Sequence, residues 1–175
     1  MTKIGLLSDT HGYMDKGILD SLKGSDLIFH AGDVGHLQVI DLLEEIAPTL
    51  VVSGNIDPPE HRWPEYVSHK YDDFKVLMIH IAGKFSSYNQ QVREHILSLK
   101  PKLLICGHSH ILKIAYDKKN NLLYMNPGAA GQHGFHKMRT LVRFNIKNSR
   151  PEGLEVVELG NRGLIKGENL ISSPS

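Results

Sequence analysis

The sequence has little that would cross-link, anchor or strongly charge the molecule. It contains one cysteine, Cys106, so an intramolecular disulfide and a thiolate metal cluster are both excluded. The net charge is only +1, so the composition carries no signature of nucleic acid or anionic membrane as a partner. No apolar run approaches the ~20 residues of a membrane helix, and no signal-peptide pattern opens the chain. These absences predict a cytoplasmic protein and leave its oligomeric state open.

What the sequence does contain is the composition of one ordinary soluble domain. Its 175 residues are 41% hydrophobic and 22% charged, which is enough for a hydrophobic core that needs no disulfide or structural metal to hold it together. We therefore expect a single domain over 1–175, with a poorly ordered tail from about residue 161, where glycine, serine and charged residues accumulate. Cys106 adjoins an apolar run and is expected to be a buried core residue.

The order of apolar runs predicts an α/β fold. The early half alternates strands with two helices, over about 15–23 and 37–46, which favours a parallel sheet with right-handed crossovers. The later half is mostly strands, and its one clear helix covers 91–99. Two mixed sheets packed face to face, with the helices outside, would bury both sets of strands. The predicted strands cover residues 3–8, 27–29, 50–52, 66–71, 75–79, 103–105, 111–116, 122–125, 140–146 and 154–159.

Five of the apolar runs end in side chains that can bind a metal ion. The most distinctive ending is Cys106-Gly107-His108-Ser109-His110, in which one residue separates two histidines. If this segment is extended, both imidazoles point to the same side. The other endings supply carboxylate, amide and imidazole groups in the same way. The candidate ligands are Asp9, His11, Asp33, Asn55, His80, His108 and His110.

Seven mixed nitrogen and oxygen ligands exceed what one four-coordinate zinc ion needs. They suit two divalent ions that share a carboxylate, and Asp33 is the natural bridge. Two cations ~3.5 to 4 Å apart can activate a water and neutralise charge on a phosphoryl group during in-line displacement. Manganese is the expected metal, and Fe, Zn, Ni or Co would also suit imidazole ligands.

Several of these polar residues have a simpler structural interpretation. Asp9 could cap a helix, and Asn55 could be an ordinary turn residue. His30 lies on a strand body and is expected to support the site rather than to bind metal. His36 could cap the next helix or line the pocket. His133 and His136 could reach the pocket rim and bind phosphate, or could be plain surface residues.

The ordered series of motifs resembles the calcineurin-like metallophosphoesterase superfamily over about residues 3–159. The motifs are Asp9-x-His11, Gly32-Asp33, Gly54-Asn55-x-Asp57, His80 and Gly107-His108-Ser109-His110. The short chain and the loop Asn126-Pro127-Gly128 resemble the small bacterial and archaeal phosphodiesterase branch of that superfamily.

This resemblance implies a four-layer α/β/β/α sandwich and a dinuclear metal-dependent phosphoesterase, most readily a phosphodiesterase. It implies hydrolysis of a small phosphate ester by in-line attack of a metal-bridging hydroxide. One ion would be held by Asp9, His11, Asp33 and His110, and the other by Asp33, Asn55, His80 and His108. Asp33, Asn55 and His108 are expected to be catalytic.

Two positions depart from the pattern of that superfamily. Ile56 stands where many members have a histidine that assists the leaving group, which predicts faster turnover of activated aryl esters. Ile81-Ala82-Gly83 follows His80 where a glycine usually follows directly, so the position of His80 depends on how this loop turns. The alternatives are a phosphomonoesterase or nucleotide hydrolase, or a non-catalytic scaffold similar to the retromer subunit of this branch. Because all seven ligand positions hold coordinating side chains, the sequence favours the enzyme.

Overall fold

The computed structural model describes residues 1–71, 73–163 and 168–171, and three α-helices lie in this part of the chain. They are α1 (Lys16–Leu22), α2 (Leu37–Glu44) and α3 (Gln90–Leu99). Each begins at a side chain that accepts a backbone N–H of the first turn, namely Asp15, His36 and Asn89. His36 therefore takes the capping role of the two predicted for it. With ten residues in the longest, no helix of the described chain has the length of a membrane span.

Twelve strands in the same described residues form two five-stranded mixed sheets and one short hairpin. The strands are β1 (Thr2–Leu7), β2 (Leu27–His30), β3 (Thr49–Val51), β4 (Tyr66–Tyr71), β5 (Phe74–Ile79), β6 (Gly83–Lys84), β7 (Ser87–Tyr88), β8 (Leu103–Ile105), β9 (Leu112–Asp117), β10 (Leu122–Pro127), β11 (Met138–Lys147) and β12 (Arg150–Asn161). The first sheet has the order β12-β11-β1-β2-β3 and the second β4-β5-β8-β10-β9. The hairpin β6–β7 lies in a segment that contains none of the predicted strands.

Each sheet contains three adjacent parallel strands, which are central in the second sheet and run from the centre to the β3 edge in the first. In the first sheet β1, β2 and β3 run parallel, and β11 runs antiparallel to both β1 and β12. In the second sheet β5, β8 and β10 run parallel, with β4 and β9 antiparallel at the edges. Central parallel strands are buried on both faces, which explains their continuous apolar sequences.

The apolar side chains sort into three layers of core. Between the sheets lie Ile4, Leu6, Phe29, Val76, Met78, Leu103, Ile105, Met125 and Phe144. The outer face of the first sheet packs against α1 and α2 through Leu7, Ile18, Leu22, Ile28, Val39 and Leu43. The outer face of the second sheet packs against α3 through Leu77, Val92, Ile96 and Leu104. The predicted α/β/β/α order of layers is therefore confirmed.

The C-terminal segment contacts the rest of the domain in the part that the structure describes. Strand β12 continues to Asn161, and the backbone N–H of Leu170 donates to Met14 O at 2.8 Å. Asn169 accepts the N–H of Met14 at 3.1 Å, and Ile171 is buried with the helices of the first sheet. Residues 168–171 therefore pack on the domain because Ile171 supplies an apolar anchor. The parts of the predicted tail at 164–167 and 172–175 lie outside the described residues.

Loops at the carboxyl ends of the central strands are joined by backbone hydrogen bonds. Asp9 N–H donates to Gly32 O at 3.0 Å, which links the loops after β1 and β2. Gly107 N–H donates to His80 O at 3.0 Å, which links the loops after β8 and β5. This edge is where open α/β sheets place their functional residues, because several strands deliver loops to the same place.

Candidate metal centre

Four candidate ligands from three loops converge in one group. Ligand atoms of Asp9, His11, Asp33 and His110 all lie within 4.8 Å of one another. His110 Nε2 is 3.2 Å from Asp9 Oδ1, and His11 Nε2 is 3.5 Å from Asp33 Oδ2. Two carboxylates and two imidazoles at this separation form a donor set suited to one divalent transition-metal ion.

The remaining candidate ligands meet in a second group beside the first. Ligand atoms of Asp33, His80 and His108 lie within 4.8 Å of one another. Asn55 Oδ1 adds a neutral oxygen, 3.2 Å from His80 Nε2 and 2.8 Å from His108 Nδ1. Asp33 belongs to both groups, with Oδ2 facing His11 and Oδ1 facing His80 at 3.3 Å. The structure thus brings all seven predicted residues together around one carboxylate.

The state of two histidines tests whether this site fits metal ions. His11 Nε2 is buried and makes no hydrogen bond within residues 1–71, 73–163 and 168–171, although Asp33 Oδ2 lies 3.5 Å away. An unpaired buried nitrogen is costly in a folded protein unless a ligand completes it. His80 Nδ1 lies 2.7 Å from Ala31 O, so its N–H donates there and Nε2 is directed at Asp33 and Asn55. A backbone carbonyl that orients the other ring nitrogen is the usual environment of a metal-ligating histidine.

The pKa shifts in the site favour the protonation states of Asp33 and His11 that can bind a metal ion. Burial opposes ionisation of Asp33, but hydrogen bonds from His80 and the Ile56 N–H outweigh it and hold the pKa of Asp33 below its usual value. Burial lowers the pKa of His11 despite the nearby carboxylates, which keeps that imidazole neutral. The pKa of His80 is raised because its interaction with Asp33 outweighs burial, so metal binding at Nε2 would release a proton.

Five of the seven residues adopt left-handed backbone conformations. The φ angles are 55° at Asp9, 47° at His11, 53° at Asp33, 66° at His108 and 57° at His110. The expectation that extended alternation points His108 and His110 to the same side is therefore wrong, because β8 ends at Ile105 and the chain turns. The two imidazoles instead join different ligand groups. Left-handed non-glycine residues cost free energy and cluster at functional sites.

Two glycines leave the space that the ligands occupy. A Cβ on Gly54 would lie 2.1 Å from both the N and the Oδ1 of Asp33, and a Cβ on Gly107 would lie 2.0 Å from Ser8 Oγ. At Gly54 the close contact is with the Asp33 backbone, so a side chain would require the loop to move, whereas at Gly107 the side chains of Ser8 and Asp9 would have to move. These glycines let loops from different strands approach closely enough to share ligands.

Two polar residues hold the loops and were not assigned roles from the sequence. Asp57 accepts N–H groups from Gly54 at 2.8 Å, Gly35 at 2.9 Å and Val34 at 3.2 Å, and so joins the loops after β2 and β3. Asn126 Nδ2 donates to Gly107 O at 2.7 Å and holds the His108 loop. The turn-forming motifs that contain them, Gly54-Asn55-Ile56-Asp57 and Asn126-Pro127-Gly128, were the available signal.

His30 supports the site by connecting two of its loops, which is the role that the sequence predicts. Its Nδ1 accepts the Gly32 N–H at 3.3 Å, which leaves Nε2–H to donate to Thr10 Oγ1 at 2.9 Å. Thr10 Oγ1–H then donates to Val34 O at 3.0 Å. The chain of hydrogen bonds joins the loops that carry Asp9 and Asp33. It requires a neutral imidazole, and burial lowers the pKa of His30 to about 4.

The buried His30 makes the metal-free protein less stable in acid. Between about pH 6.5 and pH 4 the unfolded chain takes up a proton at His30, whereas the folded protein does not. Its contribution is therefore complete above pH 6.5 and decreases by about 3 kcal/mol as the pH falls to 4. We expect His30→Gln to remove this part of the pH dependence. The prediction concerns the change of stability with pH and does not depend on how stable the variant is at pH 7.

Urea unfolding at several pH values, with chelator present, measures this difference. Subtracting the variant's free energy of unfolding from that of the wild type cancels the other titrating groups. A difference that stays constant from pH 7 to pH 4 would show that His30 is not buried in its neutral form.

Cys106 is part of the core beside the metal centre. Its side chain is 2% exposed and its Sγ lies 3.0 Å from Tyr124 Oη. Burial raises the pKa of the thiol to about 12, so the thiolate is not available as a nucleophile or ligand. This agrees with its predicted role as a core residue.

Five of the candidate ligands line a cavity of about 460 Å³. Its wall includes Ile56 and both rim histidines, His133 and His136, and the His133 ring lies 4.7 Å from that of His11. Of the two interpretations of His133 and His136, the structure supports the pocket rim.

The loop Ile81-Ala82-Gly83 leaves His80 facing the centre. Asn89 holds this loop, because it donates hydrogen bonds to Ile81 O and Ala82 O.

Comparison with known proteins agrees with this arrangement. The sequence profile of the calcineurin-like phosphoesterase superfamily domain matches residues 2–149. A probable metallophosphoesterase of Methanocaldococcus jannaschii is 30% identical over 133 residues, which cover 72% of this chain and 67% of the relative. The chain therefore belongs to the calcineurin-like phosphoesterase superfamily.

Solved structures share the fold at lower sequence identity. A structure described as a novel archaeal phosphodiesterase aligns with a TM-score of 0.68 and 20% identity, over 89% of this chain and 99% of that one. A single mutant of Vps29 from Entamoeba histolytica aligns with a TM-score of 0.69 and 17% identity, over 89% of this chain and 98% of that one. These similarities establish the shared architecture, and the superfamily implies divalent metal ions as cofactors.

Proposed function

We propose that this protein is a dinuclear metal-dependent phosphoesterase that acts on small phosphodiesters in the cytoplasm. The observation that supports this most directly is the pair of ligand groups that share Asp33. The donor set of imidazole, carboxylate and amide oxygen is better suited to manganese, or to Fe, Zn, Ni or Co, than to magnesium.

The residues divide the work as their positions suggest. Asp9, His11 and His110 would hold one ion, His80, His108 and Asn55 the other, and Asp33 both. Two bound divalent ions would lower the pKa of a water between them and neutralise charge on phosphoryl oxygens. Asn55 and His108 line the cavity as well as the ligand group, so their side chains can position the phosphoryl group for in-line attack.

The charge of the cavity supports a diester over a monoester. Among the described residues that line it there is no lysine or arginine, and Asp33 is the single carboxylate. A phosphomonoester at neutral pH carries more negative charge than a diester, and a nucleotide carries more still. Without lysine or arginine in the cavity, the metal ions alone would have to neutralise the charge of the substrate, and a diester carries less of it than a monoester.

Metal removal and restoration test this proposal. We expect chelation to reduce hydrolysis of bis(4-nitrophenyl) phosphate by more than about 10²-fold, because the ions supply both water activation and charge neutralisation. Added manganese should restore the rate, and 4-nitrophenyl phosphate should be the poorer substrate. The His108→Ala variant should not regain this rate when manganese is added.

The alternatives correspond to other results of this experiment. Full activity after chelation would refute the metal mechanism, and a preference for the monoester would favour a phosphomonoesterase. Metal-loaded, folded protein with no turnover of any phosphate ester would favour a scaffold, the alternative that the shared Vps29 architecture keeps open.

A further inference from the structure

Three apolar side chains on the rim of the metal-centre cavity are exposed to solvent. Ile56 is 44% exposed, Ile111 is 67% exposed and Phe135 is 101% exposed, and all three line the same cavity as the candidate ligands. We call these residues the apolar rim. A fully exposed phenyl ring beside a polar site gains nothing from folding, whereas covering it with apolar ligand surface is favourable.

The loop that carries Phe135 is held in place at both ends. Gln132 Oε1 accepts the Gly163 N–H at 2.7 Å, and the carbonyl of His136 accepts a hydrogen bond from Arg162 at 2.9 Å. Gly134, with φ of 116°, lies against the His110 ring so closely that a Cβ would be 2.2 Å from its Nδ1. Phe135 is thus presented next to a ligand by a fixed loop.

Near Phe135 the cavity wall carries the aromatic rings of histidines. No lysine or arginine lies among the described residues that line it. The rings of His110 and His136 lie 5.3 Å apart, and the His133 ring borders His11. Planar rings pack well on such walls through stacked and edge-to-face contacts. A second phosphate on the substrate would find no lysine or arginine among the lining residues that the structure describes.

We propose that the apolar rim selects phosphodiesters whose non-leaving ester group is a flat aromatic ring, which packs on Phe135 while the phosphate lies at the metal centre. This inference rests on the proposed phosphodiesterase function and specifies its substrate class. Ile56 and Ile111 would form the apolar edges of the same subsite.

Two diesters with the same leaving group test this proposal. Phenyl 4-nitrophenyl phosphate and methyl 4-nitrophenyl phosphate differ only in the group assigned to the rim. We expect Phe135→Ala to lower the ratio of their kcat/KM values, phenyl over methyl, by about 5- to 10-fold, since it removes an aromatic contact. Phe135→Tyr should keep the ratio, because it retains the ring. Leu97→Ala, which truncates an exposed apolar residue on α3, is the matched control and should also keep it.

An equal loss for both esters would overturn the proposal, because Phe135 would then contact the leaving group or only shape the loop. Calorimetry with phenylphosphonate and methylphosphonate provides a readout without turnover. The wild type should bind phenylphosphonate more tightly, and Phe135→Ala should remove the difference. Equal binding by the wild type would refute the aromatic subsite, whereas absent hydrolysis with intact phenyl preference would refute only the proposed enzyme activity.

Discussion

The Asp33→Ala substitution is expected to abolish most phosphodiesterase activity and to disrupt both metal sites. Asp33 Oδ2 faces His11 and Asp33 Oδ1 faces His80, so one side chain serves both ligand groups. Losing a residue that merely orients a metal ligand costs about 10- to 100-fold in activity, so losing the shared ligand should cost about 10³-fold or more. Steady-state kinetics on bis(4-nitrophenyl) phosphate with saturating manganese measures this loss.

The matched control is Asp41→Ala, which removes an exposed carboxylate from α2. It should leave both activity and metal content unchanged. Circular dichroism and urea unfolding of Asp33→Ala would separate a lost site from a lost fold. If the folded variant kept more than a tenth of the wild-type rate, Asp33 would not be the bridge.

The second large effect concerns the leaving group. Ile56 lines the cavity at the position where many relatives of this superfamily have a histidine, and its side chain cannot donate a proton. A general acid contributes about 10²- to 10⁴-fold, so wild-type turnover should fall by at least about 10²-fold between 4-nitrophenyl diesters and alkyl diesters. A series of aryl and alkyl diesters gives the slope of log kcat/KM against leaving-group pKa.

A variant that restores a proton donor provides the complementary test. Ile56→His should make the slope shallower by speeding the poorest leaving groups most. Leu97→His adds an imidazole on the exposed face of α3 and should not alter the slope. A flat dependence in the wild type would mean that another group, such as His133 or His136, already protonates the leaving oxygen.

Much of the fold was predictable because apolar periodicity and burial are directly related. Ile4 and Leu6 face the centre between the sheets while Leu7 faces the helices, as period two requires. The alternation of strands and helices before residue 60 indicated the parallel half of the first sheet. The short hairpin β6–β7 was missed because its two-residue strands carry no periodic signal.

The sequence indicates the residue types of the candidate ligands, but it does not indicate their geometry. Asp9, His11, Asp33, His108 and His110 each follow a strand, but their left-handed backbones depend on contacts between loops far apart in sequence. Gly54 and Gly107 permit those contacts by the absence of a side chain, which a single sequence does not reveal. Asp57 and Asn126 act through backbone groups of other loops, so their roles require the folded arrangement. Phe135 stood outside every motif, and its exposure beside the centre is visible only in three dimensions.

Electron paramagnetic resonance of the manganese-loaded protein, combined with metal analysis, tests the shared-carboxylate centre most directly. We expect two manganese ions per chain with the exchange-coupled signal of a bridged pair, and loss of that coupling in Asp33→Ala. One ion per chain, or two ions with the uncoupled signals of isolated sites, would contradict a dinuclear centre built on Asp33.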